Sequence, residues 1–181
     1  MIFVYIIFTI LVITIIIASF YLIAHNNFEN YKIRINEAEE NINNILNKRF
    51  DLLNKSNEII KKELCIEDEV LKTISNIRSS KLDNYELDEK LYSSIEEFYN
   101  YSEEYIELKS NDEYTKIEIE LIESEAEISA LKEYYNDIVK KYNELVIKIP
   151  FNLVAKIKKY NEKKLFIIED HTELINNLKQ R

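Results

Sequence analysis

Histidine and cysteine are the side chains readiest for metal binding or nucleophilic chemistry near neutral pH. This chain has two histidines, His25 and His171, and one cysteine, Cys65. No paired ligand spacing of a zinc site can be assembled from them, and a lone cysteine excludes an intramolecular disulfide. His25 reads as a polar end-stop to an apolar run and His171 as a surface residue. Glycine is absent, which removes phosphate loops, dinucleotide fingerprints and nucleophile elbows, all of which need it where the backbone turns tightly or approaches a ligand. The di-iron sites of helical bundles use Glu-x-x-His, and no such motif occurs. The acidic runs around residues 103–104 and 118–127 read as solvated faces. Acid–base use of one of these carboxylates would require a pocket and a perturbing neighbour. The expectation is therefore a non-enzymatic chain with no catalytic residue, no metal and no cofactor, the alternative being an enzyme with a cryptic carboxylate site. A net charge of −9 and a pI near 4.9 argue against a nucleic-acid partner, because phosphate backbones are bound by clustered Lys and Arg.

Thirteen tyrosines invite an aromatic binding surface. At Tyr114, Tyr135 and Tyr142, however, helical spacing points to core or core edge, with the hydroxyl reaching the rim. Tyr135-Asn136 and Tyr142-Asn143 repeat at seven residues. Asparagine is mediocre inside a helix, so two in register are expected to bond to a neighbouring helix and fix its position, in preference to holding a ligand.

These residues need elements to place them, and without glycine and with one proline the class is all-α. Residues 110–149 carry Tyr114, Ile117, Leu121, Ile128, Leu131, Tyr135, Ile138, Tyr142, Leu145 and Ile149 at alternating three-four spacing, with Ser124 as a small gap, which is a heptad seam. Ser110 with Glu113 forms a capping box at its start, and Pro150 sets its end. Residues 1–24 contain no charge and as a helix would reach about 36 Å against a hydrocarbon core of roughly 30 Å. They read as a transmembrane anchor in preference to a signal peptide, which would want a charged n-region and a small-residue cleavage site. Lys32, Arg34, Lys48 and Arg49 follow the run and no Lys or Arg precedes it, so the positive-inside rule places the C-terminal side in the cytoplasm and the N-terminus outside.

From Asn26 the chain turns amphipathic with no break residue, and Phe28, Tyr31, Ile35, Ala38, Ile42, Ile45, Leu52 and Ile59 keep the same spacing. Arg49 falls on this seam. If the two long helices run antiparallel it comes level with residues 125–129, giving either an Arg49–Glu125 ion pair or an arginine lifting its head to water. The expected architecture is an N-terminal transmembrane helix (1–25) followed by an antiparallel up-down-up-down four-helix bundle (26–149), with helices at about 26–63, 67–81, 85–108 and 111–149. Asp83 with Glu86 caps the third. The long seams could instead pair between chains in a coiled-coil oligomer. Residues 150–181 form a basic amphipathic segment in which Lys156, Lys158, Lys159, Lys163 and Lys164 sit beside Leu153, Val154 and Ile157. Such a segment either touches an anionic leaflet or closes the open end of the bundle while its lysines face water, and residues 165–178 follow as a short helix or a frayed end.

Taken in order, these residues resemble the LemA family of membrane-anchored bacterial helical proteins over about residues 31–166. The match runs through Ala38, Ile42, Leu46, then Arg49-Phe50-Asp51-Leu52-Leu53; through Leu71, Ile74 and Ile77-Arg78; and most specifically through Glu125, Tyr135-Asn136, Tyr142-Asn143 and Pro150-Phe151-Asn152. Departures are Glu39 in place of tryptophan, Asn54 and Ile106 in place of proline, Lys62 in place of glycine and Lys132 in place of arginine. The resemblance implies a short outer N-terminus, a cytoplasmic bundle and no catalytic residues. It agrees with an interaction module or scaffold whose partner is a protein or an anionic lipid.

Overall fold

The computed structural model describes residues 1–64 and 83–168. The expected helix at 67–81, with Arg78 and Cys65, lies outside the described residues, as does His171. Among the described residues there are four α-helices: α1 (Ile2–Leu64), α2 (Asn84–Glu104), α3 (Asp112–Ile147) and α4 (Phe151–Lys158), with a 3-10 turn at Ile106–Ser110 between α2 and α3. No strand occurs among them, as the missing turn chemistry leads one to expect. α1 runs unbroken for 63 residues because nothing in it removes a backbone donor or loosens φ, and Lys61 and Lys62 lie in its last turn, where the helix dipole favours cations.

The chain divides into two compact units. The first joins Met1–Glu37 to Tyr135–Leu165, and its core is Ala24, Phe28 and Ile35 from α1, Ile138, Val139 and Tyr142 from α3, and Val154 and Ala155 from α4. The second joins Ala38–Tyr134 to the described residues from Phe166 onward, and buries Ile42, Leu46 and Leu53 against Leu91, Ile95, Phe98, Leu108, Tyr114, Leu121 and Ile128. In the second unit Arg49 meets Glu125 and Glu63 accepts from Asn111, so α1 ascends as α3 descends. Asp88 with Lys132 and Ser102 with Glu118 give α2 and α3 the same opposed sense. The full up-down-up-down order includes segment 67–81 and so lies outside the described residues.

Local chemistry sets the ends. The Asp83 side chain accepts from the amides of Tyr85 and Glu86, the expected N-cap of α2. α2 does not reach Leu108: it closes at Glu104, and Tyr105 leaves helical geometry at φ −115°, ψ 86°. The expected Ser110 cap is also displaced by one residue. Ser110 is taken up by the 3-10 turn, and Asn111 Oδ1 accepts from the amides of Glu113 and Tyr114. Ile149, placed on the seam by spacing, is exposed. It precedes Pro150, whose ring disfavours helical geometry in the residue before it, and α3 stops at Ile147.

Candidate functional site

Two clusters of polar side chains stand out, one in each unit. In the second unit Arg49 is 2% exposed and its guanidinium is ion-paired and hydrogen-bonded to the Glu125 carboxylate. Lys132, also buried, holds Asp88 at 2.6 Å. Tyr99 lies in the field of Arg49, Glu118 and Glu125, and its phenol is raised above the ordinary value, mainly by burial and further by the two glutamates, with Arg49 opposing. Tyr114 is raised the same way, by burial first and then by Glu118, whose carboxylate accepts from Ser102 Oγ at 2.9 Å. The Tyr114 hydroxyl donates to the Phe98 carbonyl at 3.5 Å, and the charges nearest both phenols are already engaged. Such an arrangement fixes register: each buried ion pair ties two helices at one level, and a slip of one turn would strand a charge in the core.

In the first unit the polar groups gather where the apolar part of α1 ends. Tyr160 Oη lies 2.7 Å from Glu29 Oε1 and 3.0 Å from His25 Nδ1. Donation from the phenol to the carboxylate leaves its oxygen to accept from the imidazole. Lys32 bonds Glu29 at 3.1 Å and stands 5.5 Å from the centre of the Tyr160 ring. The Tyr160 hydrogen bond, ahead of Lys32, holds the Glu29 carboxyl below its ordinary value, while burial and then that carboxylate push the phenol up. Around them Tyr21 stacks on His25, Phe28 meets Tyr142 edge-on and Tyr160 at 4.7 Å, and Phe20 meets Phe151 at 5.5 Å. Beside Tyr160 an open cleft of about 440 Å³ is lined by Val146, Ala155, Lys156, Lys159 and Asn161. After a left-handed turn at Lys159 (φ 56°) the chain runs without regular structure along α3. Asn143 grips it at both backbone groups of Lys163, Nδ2 donating to its carbonyl and Oδ1 accepting from its amide, each at 2.9 Å, and Tyr135 Oη donates to the Lys164 carbonyl at 3.3 Å.

The residues singled out from sequence are thus dispersed. Arg49 and Glu125 come together, with Leu52 buried and Asp51 exposed on the same helix. Asn143 turns to an extended segment rather than to a helix, and Asn136 is buried. Pro150 is exposed, and Asn152 is half-buried. Lys156, Lys158, Lys159 and Lys164 face outward, and Lys163 is partly covered. Leu153 and Ile157 are exposed while their neighbours Val154 and Ala155 are buried, so the tail both packs on the first unit and leaves an apolar edge.

Two elements escaped sequence reasoning. Lys132 stands one heptad beyond Glu125, and that repeat of a charge along a buried stripe was the available signal for an ion pair. Tyr160 and its hydrogen-bond partners Glu29 and His25 are 131 and 135 residues apart in the chain and left none.

Comparison with known proteins matches the sequence profile described as LemA family over residues 38–178, well over half of the chain. No curated protein matches. α1 begins far upstream of the matched stretch, and its N-terminal part is long and apolar enough to be a candidate membrane span.

Proposed function

Because the chain belongs to the LemA family, we propose that it is a single-pass membrane protein whose helical units lie on the cytoplasmic side and act non-catalytically, as an interaction module or scaffold for a protein partner or an anionic lipid surface. The observation that carries the proposal is the exposure of the apolar segment. Residues 1–19 are all exposed, and the large apolar side chains among them lie bare on the helix surface. Covering each is worth about 1.5–3 kcal/mol. Left in water, the set would outweigh the roughly 5–15 kcal/mol by which a domain is stable, whereas a bilayer covers it without help from the rest of the chain. The cytoplasmic placement rests on Lys32, Arg34, Lys48 and Arg49 following the segment. The non-catalytic role is supported by the way interior charges are committed to each other, Arg49 to Glu125 and Lys132 to Asp88.

Orientation is open to direct measurement. With Cys65→Ser as background and Glu40→Cys on an exposed position of α1, a membrane-impermeant maleimide should leave intact cells unlabelled and label them fully once they are permeabilised. Labelling of intact cells would place the helical units outside and overturn the cytoplasmic role.

A further inference from the structure

The spanning reading fixes where the bilayer ends, and the contacts of the first unit fix what lies there. Phe20 belongs to the uncharged run that stops at Ala24, and the first carboxylate on α1 is Glu29. The Phe151 ring packs on Phe20, while Tyr160, just past the end of α4, packs on Phe28 and bonds Glu29. From Phe20 to Phe28 α1 rises about 12 Å at about 1.5 Å per residue, which is also the length of the eight residues of α4. α4 therefore lies alongside α1, and the turn that joins α3 to α4 is its membrane-ward end. α3 approaches the same level from the other side, since Tyr142 meets Phe28 five residues before α3 stops at Ile147.

The surface at this turn has the wrong character for water. Ile147, Ile149 and Leu153 are exposed, Ile149 by 78%, and Ile157 stands bare one turn further along. In a chain of net charge −9, the segment from Val146 to Asn161 contains no acid and carries Lys148, Lys156, Lys158 and Lys159, all exposed. Around it Tyr21, Tyr142, Tyr160 and His25 form the belt of amphipathic rings that suits a membrane–water interface.

We propose that the α3–α4 turn, residues 147–153, is a membrane wedge: Ile147, Ile149 and Leu153 enter the boundary between headgroups and hydrocarbon beside α1, and Lys148, Lys156, Lys158 and Lys159 bind anionic phospholipid headgroups just above it. The proposal rests on the spanning reading and goes beyond it, because a tether alone would leave this turn in water. Insertion of an apolar edge by some 5–10 Å with cations at headgroup level is the usual mode of an interfacial segment. Here the depth is set by packing, with Phe151 on Phe20 at one end of α4 and the Tyr160–Glu29–His25 bonds at the other.

The chain contains no tryptophan, so a single introduced indole reports its own surroundings. Full-length protein carrying Ile149→Trp, or Ile13→Trp as the control within the span, is reconstituted into vesicles of phosphatidylglycerol and phosphatidylcholine, or of phosphatidylcholine alone. The wedge predicts that the indole at position 149 emits at short wavelength and loses intensity to lipids brominated near the carbonyls, more in the anionic vesicles, whereas the indole at position 13 responds to deep bromines. Lys148→Gln, Lys156→Gln, Lys158→Gln and Lys159→Gln together should reduce quenching at 149 to the phosphatidylcholine level. Water-like, unquenched emission at 149 with position 13 quenched would overturn the wedge and leave the span standing, including the case in which the indole is buried only on adding a protein partner. Lack of quenching at both positions would remove the spanning reading and the wedge with it. Quenching at 149 that ignores the four lysine replacements would overturn the headgroup contact.

Discussion

Replacing Arg49 by alanine is expected to destabilise the second unit by about 3–5 kcal/mol, the range for breaking a buried ion pair from one side. The alanine leaves Glu125, 7% exposed, without its cation, and removes the stem that fills the space between α1 and α3. At 1.4 kcal/mol for each tenfold, the loss corresponds to roughly two to three and a half powers of ten in the protection of the most slowly exchanging amides. Amide exchange at Leu121 and Ile128, both fully buried on α3, is the direct reading in the detergent-solubilised chain. The double replacement Arg49→Met with Glu125→Leu should recover most of the protection. Arg49 Nε is itself buried with no hydrogen-bond partner among the described residues, so the native pair already carries an uncompensated cost that an apolar pair of similar volume would not. An Arg49→Ala variant with wild-type exchange would show that the guanidinium contributes nothing to holding α1 against α3.

Removal of residues 1–24 is expected to convert a protein that stays in the membrane pellet through alkaline carbonate into one found in the soluble fraction. The change is close to all-or-none, because each large apolar side chain moved from lipid to water costs about 1.5–3 kcal/mol and residues 1–19 are exposed throughout. The core of the first unit starts at Ala24, so the truncation takes only that residue from it, together with the contacts of Phe20 with Phe151 and of Tyr21 with His25. A full-length chain that carbonate extracts would mean that its apolar helix is covered by protein rather than lipid.

What could be read from the sequence depended on how far apart the cooperating residues lie along it. Periodicity marked the buried stripes of α1 and α3, and because α1 has no break residue, counting along two antiparallel helices was enough to bring Arg49 level with Glu125. Asp83 was legible because a cap acts within three residues. Asn111 was not separable from Ser110, since both offer an oxygen to the first turn and the choice was made by the 3-10 turn that ends at Ser110. The family match at 38–178 overlaps the stretch whose motifs carry the resemblance, yet the motif residues did not disclose their tasks. Asn143 holds the backbone of Lys163 in an extended segment, and helical spacing carries no record of such a segment. The Tyr160–Glu29–His25 contacts depend on the chain reversing at Pro150 and leaving α4 through the left-handed residue Lys159. Only the first of these had a residue type that announced it.

In the second unit α1 and α3 pair head to tail within one chain. Glu63 and Asn111 touch at 3.2 Å across these helices. In a Cys65→Ser background, Glu63→Cys with Asn111→Cys treated in native membranes with a short bismaleimide should give one product of monomer mass, linked within the chain. A product of dimer mass, with no internal link, would show that the long helices pair between chains and would contradict the fold-back.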